Sequence, residues 1–252
     1  TYLFTLKLVS YDFLSGHAGH DEPKQSLNMI TPSLHNNKDL YNLQGQIRHK
    51  IEFIKNHIPQ DVKIHLISHS IGSKISLELL KNEEISDRIH HGYLLFPTIE
   101  RMVDSHNGFW FYKVFNRIYF LLRFFYYAFS YLPLTLRTIL LYIYCYFSGF
   151  PEYFLGTVIK ASTPQVLDKI WFMAQDEMET VCDIDEGVIK RNMHRLKFYY
   201  GTTDGWVPVK YYKELIEKFP GIDAELCEKS IDHGFVISHG PTMARMVSEW
   251  IN

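Results

Sequence analysis

The sequence predicts an α/β fold, a mostly parallel sheet flanked by helices and interrupted by a hydrophobic helical insertion. Three observations predict it. Residues 62–80, VKIHLISHSIGSKISLELL, pass from a short apolar run through a small-residue turn into a helical repeat. Two further apolar runs, HGYLLF at 91–96 and LKFYY at 196–200, each end at a turn residue, Pro97 and Gly201, and lie between helical patterns, which is the order of a parallel sheet. Between those two runs the composition changes abruptly to a block of aromatic and aliphatic residues at 109–150.

In chain order, residues 1–9 read either as the end of a helix or as a strand, and residues 11–14 as a short strand leading into the glycine- and proline-punctuated loop SGHAGHDEP. His17, His20, Asp21 and Glu22 of that loop match no standard metal-ligand spacing and read instead as an ordered loop near a site rim. Residues 24–38 are polar and read as loop. Leu43, Ile47, Ile51 and Ile54 recur at helical spacing, so a helix feeds the strand carrying Val62, Ile64, Leu66 and Ile67. Ile71, Ile75, Leu79 and Leu80 then face one side of a helix, and His69-Ser70-Ile71 is the turn between. Residues 82–90 read as a polar surface segment, and the loop at 98–107 falls on the same sheet edge as Ser70. Later elements are a two-part helix over 156–179 broken at Pro164, an acidic solvated face at 176–185, a helix at 211–219, a strand at 224–227 and a closing amphipathic helix at 241–251.

The block at 109–150 contains Lys113, Arg117, Arg123 and Arg137 and no acid. Its uncharged runs, 124–136 and 138–151, are shorter than the roughly 20 residues of a spanning helix. Pro133 and Arg137 break its middle, which favours a hairpin lying in one leaflet of a membrane or on a lipid surface over a buried cap or a true span. Across the whole chain of 252 residues the net charge is -2, which argues against a nucleic-acid partner. Cys145, Cys182 and Cys227 form no C-x-x-C pair and no disulfide framework, in keeping with a reducing compartment.

A serine at the apex of a strand-to-helix turn, Ser68-His69-Ser70-Ile71-Gly72, is held up from the sheet edge with helix N–H groups beside it. Ser70 is the candidate nucleophile; the alternative is a helix-capping serine. A nucleophilic serine needs a base and a group that orients the base. His233 follows the strand at 224–227 and Asp204 follows the strand at 196–200, so all three candidates stand at strand ends. Asp176, Asp183, Asp185 and His239 are weaker competitors because none directly follows a strand. The Ile71 N–H is one oxyanion donor; the loop that would supply the second is not in this sequence.

The motifs SGHAGH at 15–20, YNLQGQIRHKIEFI at 41–54, SHSIGSKI at 68–75, LLFPTIE at 94–100, YGTTDGWVP at 200–208 and DHGFV at 232–236 together resemble the lipid droplet-associated hydrolase family of α/β-hydrolases. The resemblance implies Ser70 as nucleophile, Asp204 as acid and His233 as base, with no cofactor and no metal. It implies a lipid or sterol ester as substrate and a lipid droplet or endoplasmic reticulum surface as partner and location. The family has a glycine where Ser68 stands and a G-N-P-G turn ahead of the helix that corresponds to residues 1–8. By that comparison, early strands are expected to be missing. The expected organisation is a first part of the core at 1–100, a cap insertion at 101–190 and a last part of the core at 191–252. The alternative function is a non-catalytic or weakly catalytic lipid-droplet protein influencing neutral-lipid storage.

Overall fold

The computed structural model describes residues 4–7, 12–23 and 28–251. Strands β1 (Phe4–Lys7) and β2 (Asp12–Ser15) precede helices α1 (Lys38–Tyr41) and α2 (Leu43–His57). The central unit is β3 (Ile64–His69), α3 (Ile71–Leu79), α4 (Glu83–Ser86) and β4 (Ile89–Leu95). A wholly helical insertion follows, with α5 (His106–Phe109), α6 (Tyr119–Ser130), α7 (Leu134–Phe147), α8 (Leu155–Ala161), α9 (Pro164–Thr180) and α10 (Glu186–Asn192). The chain returns to the sheet in β5 (Leu196–Tyr200), α11 (Val209–Lys218) and β6 (Asp223–Leu226), and ends with α12 (Phe235–Ser238) and α13 (Gly240–Ile251).

The strands order as β2-β1-β3-β4-β5-β6. β3, β4, β5 and β6 are parallel, while β1 runs antiparallel to both β2 and β3. Of the two readings left open for residues 1–9, the strand is the one observed over Phe4–Lys7; the rest of that stretch lies outside the described residues. The interior strands are apolar because both of their faces are covered: Ile64, Leu66, Leu94 and Phe198 are fully buried. Leu43, Ile47 and Ile54 of α2 and Ile71, Ile75 and Leu79 of α3 bring their helical stripes into the same core.

The acidic segment departs from its sequence reading. It is not simply a solvated face: Asp176 accepts the Leu43 N–H at 2.7 Å, and Asp185 caps α10 through the Val188 N–H at 3.0 Å while pairing with Lys81 at 2.7 Å. Glu177 is buried, and desolvation pushes its carboxyl up to about 8. The segment at 82–90 is also less exposed than its composition suggests. Ile85 is fully buried, and β4 starts at Ile89, two residues before the expected strand.

The aromatic block forms the antiparallel-looking pair of sequence-adjacent helices α6 and α7, joined at Pro133. Among the described residues, no helix is long and apolar enough to cross a membrane. α6 buries none of its residues and α7 only Cys145, leaving Phe120 75% and Phe147 81% exposed. The attachment of α6 to α9 is polar: Asp168 accepts from Tyr119 Oη at 2.8 Å, from Arg123 Nε and Nη2 at 2.9 Å each, and from Tyr127 Oη at 2.7 Å. Tyr119 also stacks on Trp171 with ring centroids 4.4 Å apart.

Candidate active site

The turn after β3 is sharp. Ser70 has φ 55° and ψ -127°, a conformation that costs an L-residue about 1–3 kcal/mol and persists only where neighbours enforce it. They do so here on both sides: the Ser70 N–H donates to the Leu95 carbonyl at 3.0 Å, extending the β3–β4 ladder, and its carbonyl accepts the Ser73 N–H at 2.9 Å, opening α3. Ser68 occupies the tight position of the turn without a clash. Its Cβ lies 3.5 Å from where a Cβ on Gly72 would sit, and its hydroxyl donates to the Tyr93 carbonyl at 3.3 Å. Ile71 is the first residue of α3, so its N–H belongs to the group at a helix start that lacks an intrahelical acceptor.

Asp204 lies in the loop after β5, and its side chain is fully buried. One carboxylate oxygen, Oδ1, accepts the N–H groups of Trp206 at 2.7 Å and Val207 at 3.0 Å; the other, Oδ2, faces His233 Nδ1 at 2.7 Å. A glycine stands at 205 because chain and side chain pass too close for a Cβ, which would meet Asn107 Nδ2 and Oδ1 at 2.7 Å. His233 follows β6, and its Nε2 lies 2.8 Å from Ser70 Oγ. With Nδ1–H donating to the carboxylate, Nε2 is left as the acceptor of the serine hydroxyl proton. The three side chains brought to one sheet edge by separate strand ends thus form a continuous hydrogen-bonded chain.

Three neighbours of this chain were not singled out from the sequence. His69 Nε2 donates to the His233 carbonyl at 2.8 Å, and burial drives its imidazole down to about 3, so it is a neutral donor fixing the loop that carries His233. Phe96, at φ 48°, sets its ring edge-on to His233 with centroids 6.0 Å apart. Thr98 donates its N–H to the Ser70 carbonyl at 3.4 Å, with its hydroxyl 3.4 Å from Ser70 Oγ. The position of His69 directly before the serine was a signal for the first; for Phe96 and Thr98 the only signal was the expected placement of the loop after β4. The competitors lie elsewhere: Asp176 and Asp185 cap helices, and the Nδ1 of His239 is engaged with Ser238 at 2.8 Å.

A cavity of about 860 Å³ opens beside His233. Its walls are mainly apolar, with Phe150, Phe154 and Val158 from the chain following α7, Ile170 from α9 and Trp206 from the Asp204 loop; His20 lies on the same wall. No lysine or arginine lines it among the described residues.

A parallel sheet with a serine at the positive-φ turn after β3, and a helical insertion between β4 and β5, defines this chain as an α/β-hydrolase. Solved structures agree on the fold: a meta-cleavage product hydrolase from Pseudomonas fluorescens matches with a TM-score of 0.54 at 18% identity, over 84% of this chain and 72% of that one. The 2-hydroxy-6-oxo-6-phenylhexa-2,4-dienoate hydrolase of Rhodococcus matches with a TM-score of 0.54 at 19% identity, over 83% and 72%. The chain belongs to the lipid droplet-associated hydrolase family, whose model matches residues 7–236. The lipid droplet-associated hydrolase of Drosophila melanogaster is 48% identical over 237 residues, 94% of this chain and 77% of the relative. That of Mus musculus is 36% identical over 258 residues, 95% of this chain and 74% of the relative.

Proposed function

We propose that this protein is a serine hydrolase that cleaves a carboxylic ester of a lipid or sterol at the surface of lipid droplets and the cytosolic face of the endoplasmic reticulum. The observation that carries the reading is the hydrogen-bonded chain from Ser70 through His233 to Asp204. Ser70 Oγ attacks the acyl carbonyl while His233 Nε2 takes its proton; Asp204 holds the imidazole tautomer and stabilises the imidazolium. The tetrahedral oxyanion forms beside the Ile71 N–H at the start of α3, where the helix dipole also favours negative charge. His233 returns the proton to the leaving alcohol, and water then releases the fatty acid from the acyl-enzyme by the same steps in reverse.

Segments 1–100 and 191–252 serve on this reading as the core and 101–190 as the cap. The exposed rings of α6 and α7 enter the lipid interface, since an apolar surface of this extent is otherwise an aggregation hazard, and the names of the relatives point to the droplet as its partner. The apolar cavity beside His233 takes the acyl chain.

The test is labelling of the protein on isolated lipid droplets with a fluorophosphonate probe, comparing the parent with Ser70→Ala and His233→Ala. Labelling that disappears in both variants supports an activated serine. A folded, droplet-bound parent that does not label refutes it in favour of a non-catalytic droplet protein.

A further inference from the structure

The loop at residues 16–20 is held by two buried polar side chains whose only evident service is to it. Gln46 and Lys50 lie one turn apart on α2, 1% and 0% exposed. Gln46 takes the loop in a two-sided grip, accepting the Ala18 N–H through Oε1 at 2.8 Å and donating Nε2 to the Ala18 carbonyl at 3.1 Å. Lys50 donates its Nζ to the Gly16 carbonyl and approaches His49 Nδ1 at 3.1 Å. Burial lowers the Lys50 ammonium to about 8. A lysine taken out of water is costly unless its position is used for something, and an apolar residue there would pack without that penalty.

What the grip secures is a turn of one conformation. The His20 N–H donates to the His17 carbonyl at 3.2 Å, and the His17 and His20 rings stack with centroids 5.2 Å apart. Gly19, at φ 97°, lies so close to the Tyr41 ring that a Cβ there would come within 2.8 Å of it. The turn delivers His20 to the wall of the cavity that also holds His69 and His233. Burial above all lowers the His20 imidazole to about 4, so it offers the cavity a polar edge without a charge.

We propose that Gln46 and Lys50 are positioning residues for the 16–20 turn, and that His20 is a substrate-contacting residue that hydrogen-bonds an oxygen of an uncharged carboxylic ester bound beside Ser70. The proposal rests on the serine-hydrolase reading above and narrows its substrate class. A cavity walled by Phe150, Phe154 and Ile170 and without lysine or arginine suits an apolar acyl chain, and the imidazole supplies a polar contact for the ester group.

The experiment is steady-state hydrolysis of p-nitrophenyl octanoate by the parent, His20→Ala, His20→Asn, Gln46→Met and the double variant His20→Ala/Gln46→Met, with fluorophosphonate labelling in parallel. Gln46→Met is preferred to a Lys50 variant because loss of the fully buried lysine also endangers the fold. His20→Ala is expected to raise KM about three- to tenfold with a smaller change in kcat, the size of one lost neutral hydrogen bond. His20→Asn is expected to recover part of the loss. Gln46→Met is expected to raise KM in the parent background and to add nothing in the His20→Ala background, as required if it acts through His20. A labelled parent whose His20→Ala variant keeps KM within about twofold overturns the substrate contact, and full additivity of Gln46→Met with His20→Ala overturns the positioning role. A parent that does not label is a failure of the serine-hydrolase reading itself, and with it of this proposal.

Discussion

Replacing Asp204 by asparagine separates the charge of this residue from its geometry, because the surrounding backbone dictates how the amide must sit. The Trp206 and Val207 N–H groups, at 2.7 and 3.0 Å from Oδ1, require an acceptor there, so the amide oxygen takes that place and the NH2 group is turned toward His233 Nδ1. Two donors cannot face each other across 2.7 Å; Nδ1 must become the acceptor, and the ring proton moves to Nε2. Nε2 then presents a donor to Ser70 Oγ at 2.8 Å and can no longer accept its proton. The expected cost is a fall in kcat of about 10³–10⁴, or roughly 4–5.5 kcal/mol of barrier, with KM little changed and the fold intact. The assay is ester hydrolysis with active-site titration by fluorophosphonate, alongside a thermal melt. Activity within about tenfold of the parent at neutral pH, in a folded variant, would refute the argument that Asp204 sets the His233 tautomer.

Glu177→Gln should flatten the pH dependence of stability. The folded Glu177 carboxyl titrates at about 8 against 4.5 in the ordinary state, so the stability of the parent is full below 4.5, declines as pH rises and is lowest above about 8. At about 1.4 kcal/mol per pH unit, the loss is of the order of a few kcal/mol, and chemical denaturation at pH 5 and pH 8.5 should show it in the parent and not in the variant. Asp168→Ala removes the acceptor shared by Tyr119, Arg123 and Tyr127, so amide exchange in α6 should speed up while the β3–β5 core stays protected. Phe120→Ser/Phe124→Ser/Phe147→Ser removes three exposed rings, each worth about 1.5–3 kcal/mol when buried in an apolar phase, and should shift the protein out of the floating fraction in droplet flotation. Gly108→Ala would bring a Cβ to within 1.8 Å of the Met102 carbonyl oxygen at the start of the insertion, and should lower the melting temperature by several degrees.

The parallel core and the three site candidates were legible because their signals are local. Ser70, Asp204 and His233 each follow an apolar run that could be read as a strand, and strand ends of a parallel sheet share one edge. The first residues were ambiguous because nine mostly apolar residues show neither period clearly enough to separate helix from strand. Asp176 looked solvated because its partner, the Leu43 N–H, is 133 positions away in the chain. Lys50 and Glu177 escaped notice for a related reason: charged residues on amphipathic helices normally face water, and only the packing of other elements over α2 and α9 reveals that these two do not. The outward-facing rings of α6 and α7 were anticipated by composition and by the lack of any acid in the block, whereas the clamp at Asp168 that holds α6 was not, since it comes from a helix forty residues downstream.

The wall of the cavity at Phe150, Phe154 and Val158 is the direct continuation of α7, so the part of the molecule that carries the exposed rings is covalently continuous with the part that lines the reaction chamber. A catalyst built in this way answers to area rather than to volume. Its turnover follows the two-dimensional density of ester at the interface and the fraction of that interface still unoccupied, so that coating a droplet with an inert amphipathic protein should slow it as effectively as removing substrate, without any molecule entering the cavity.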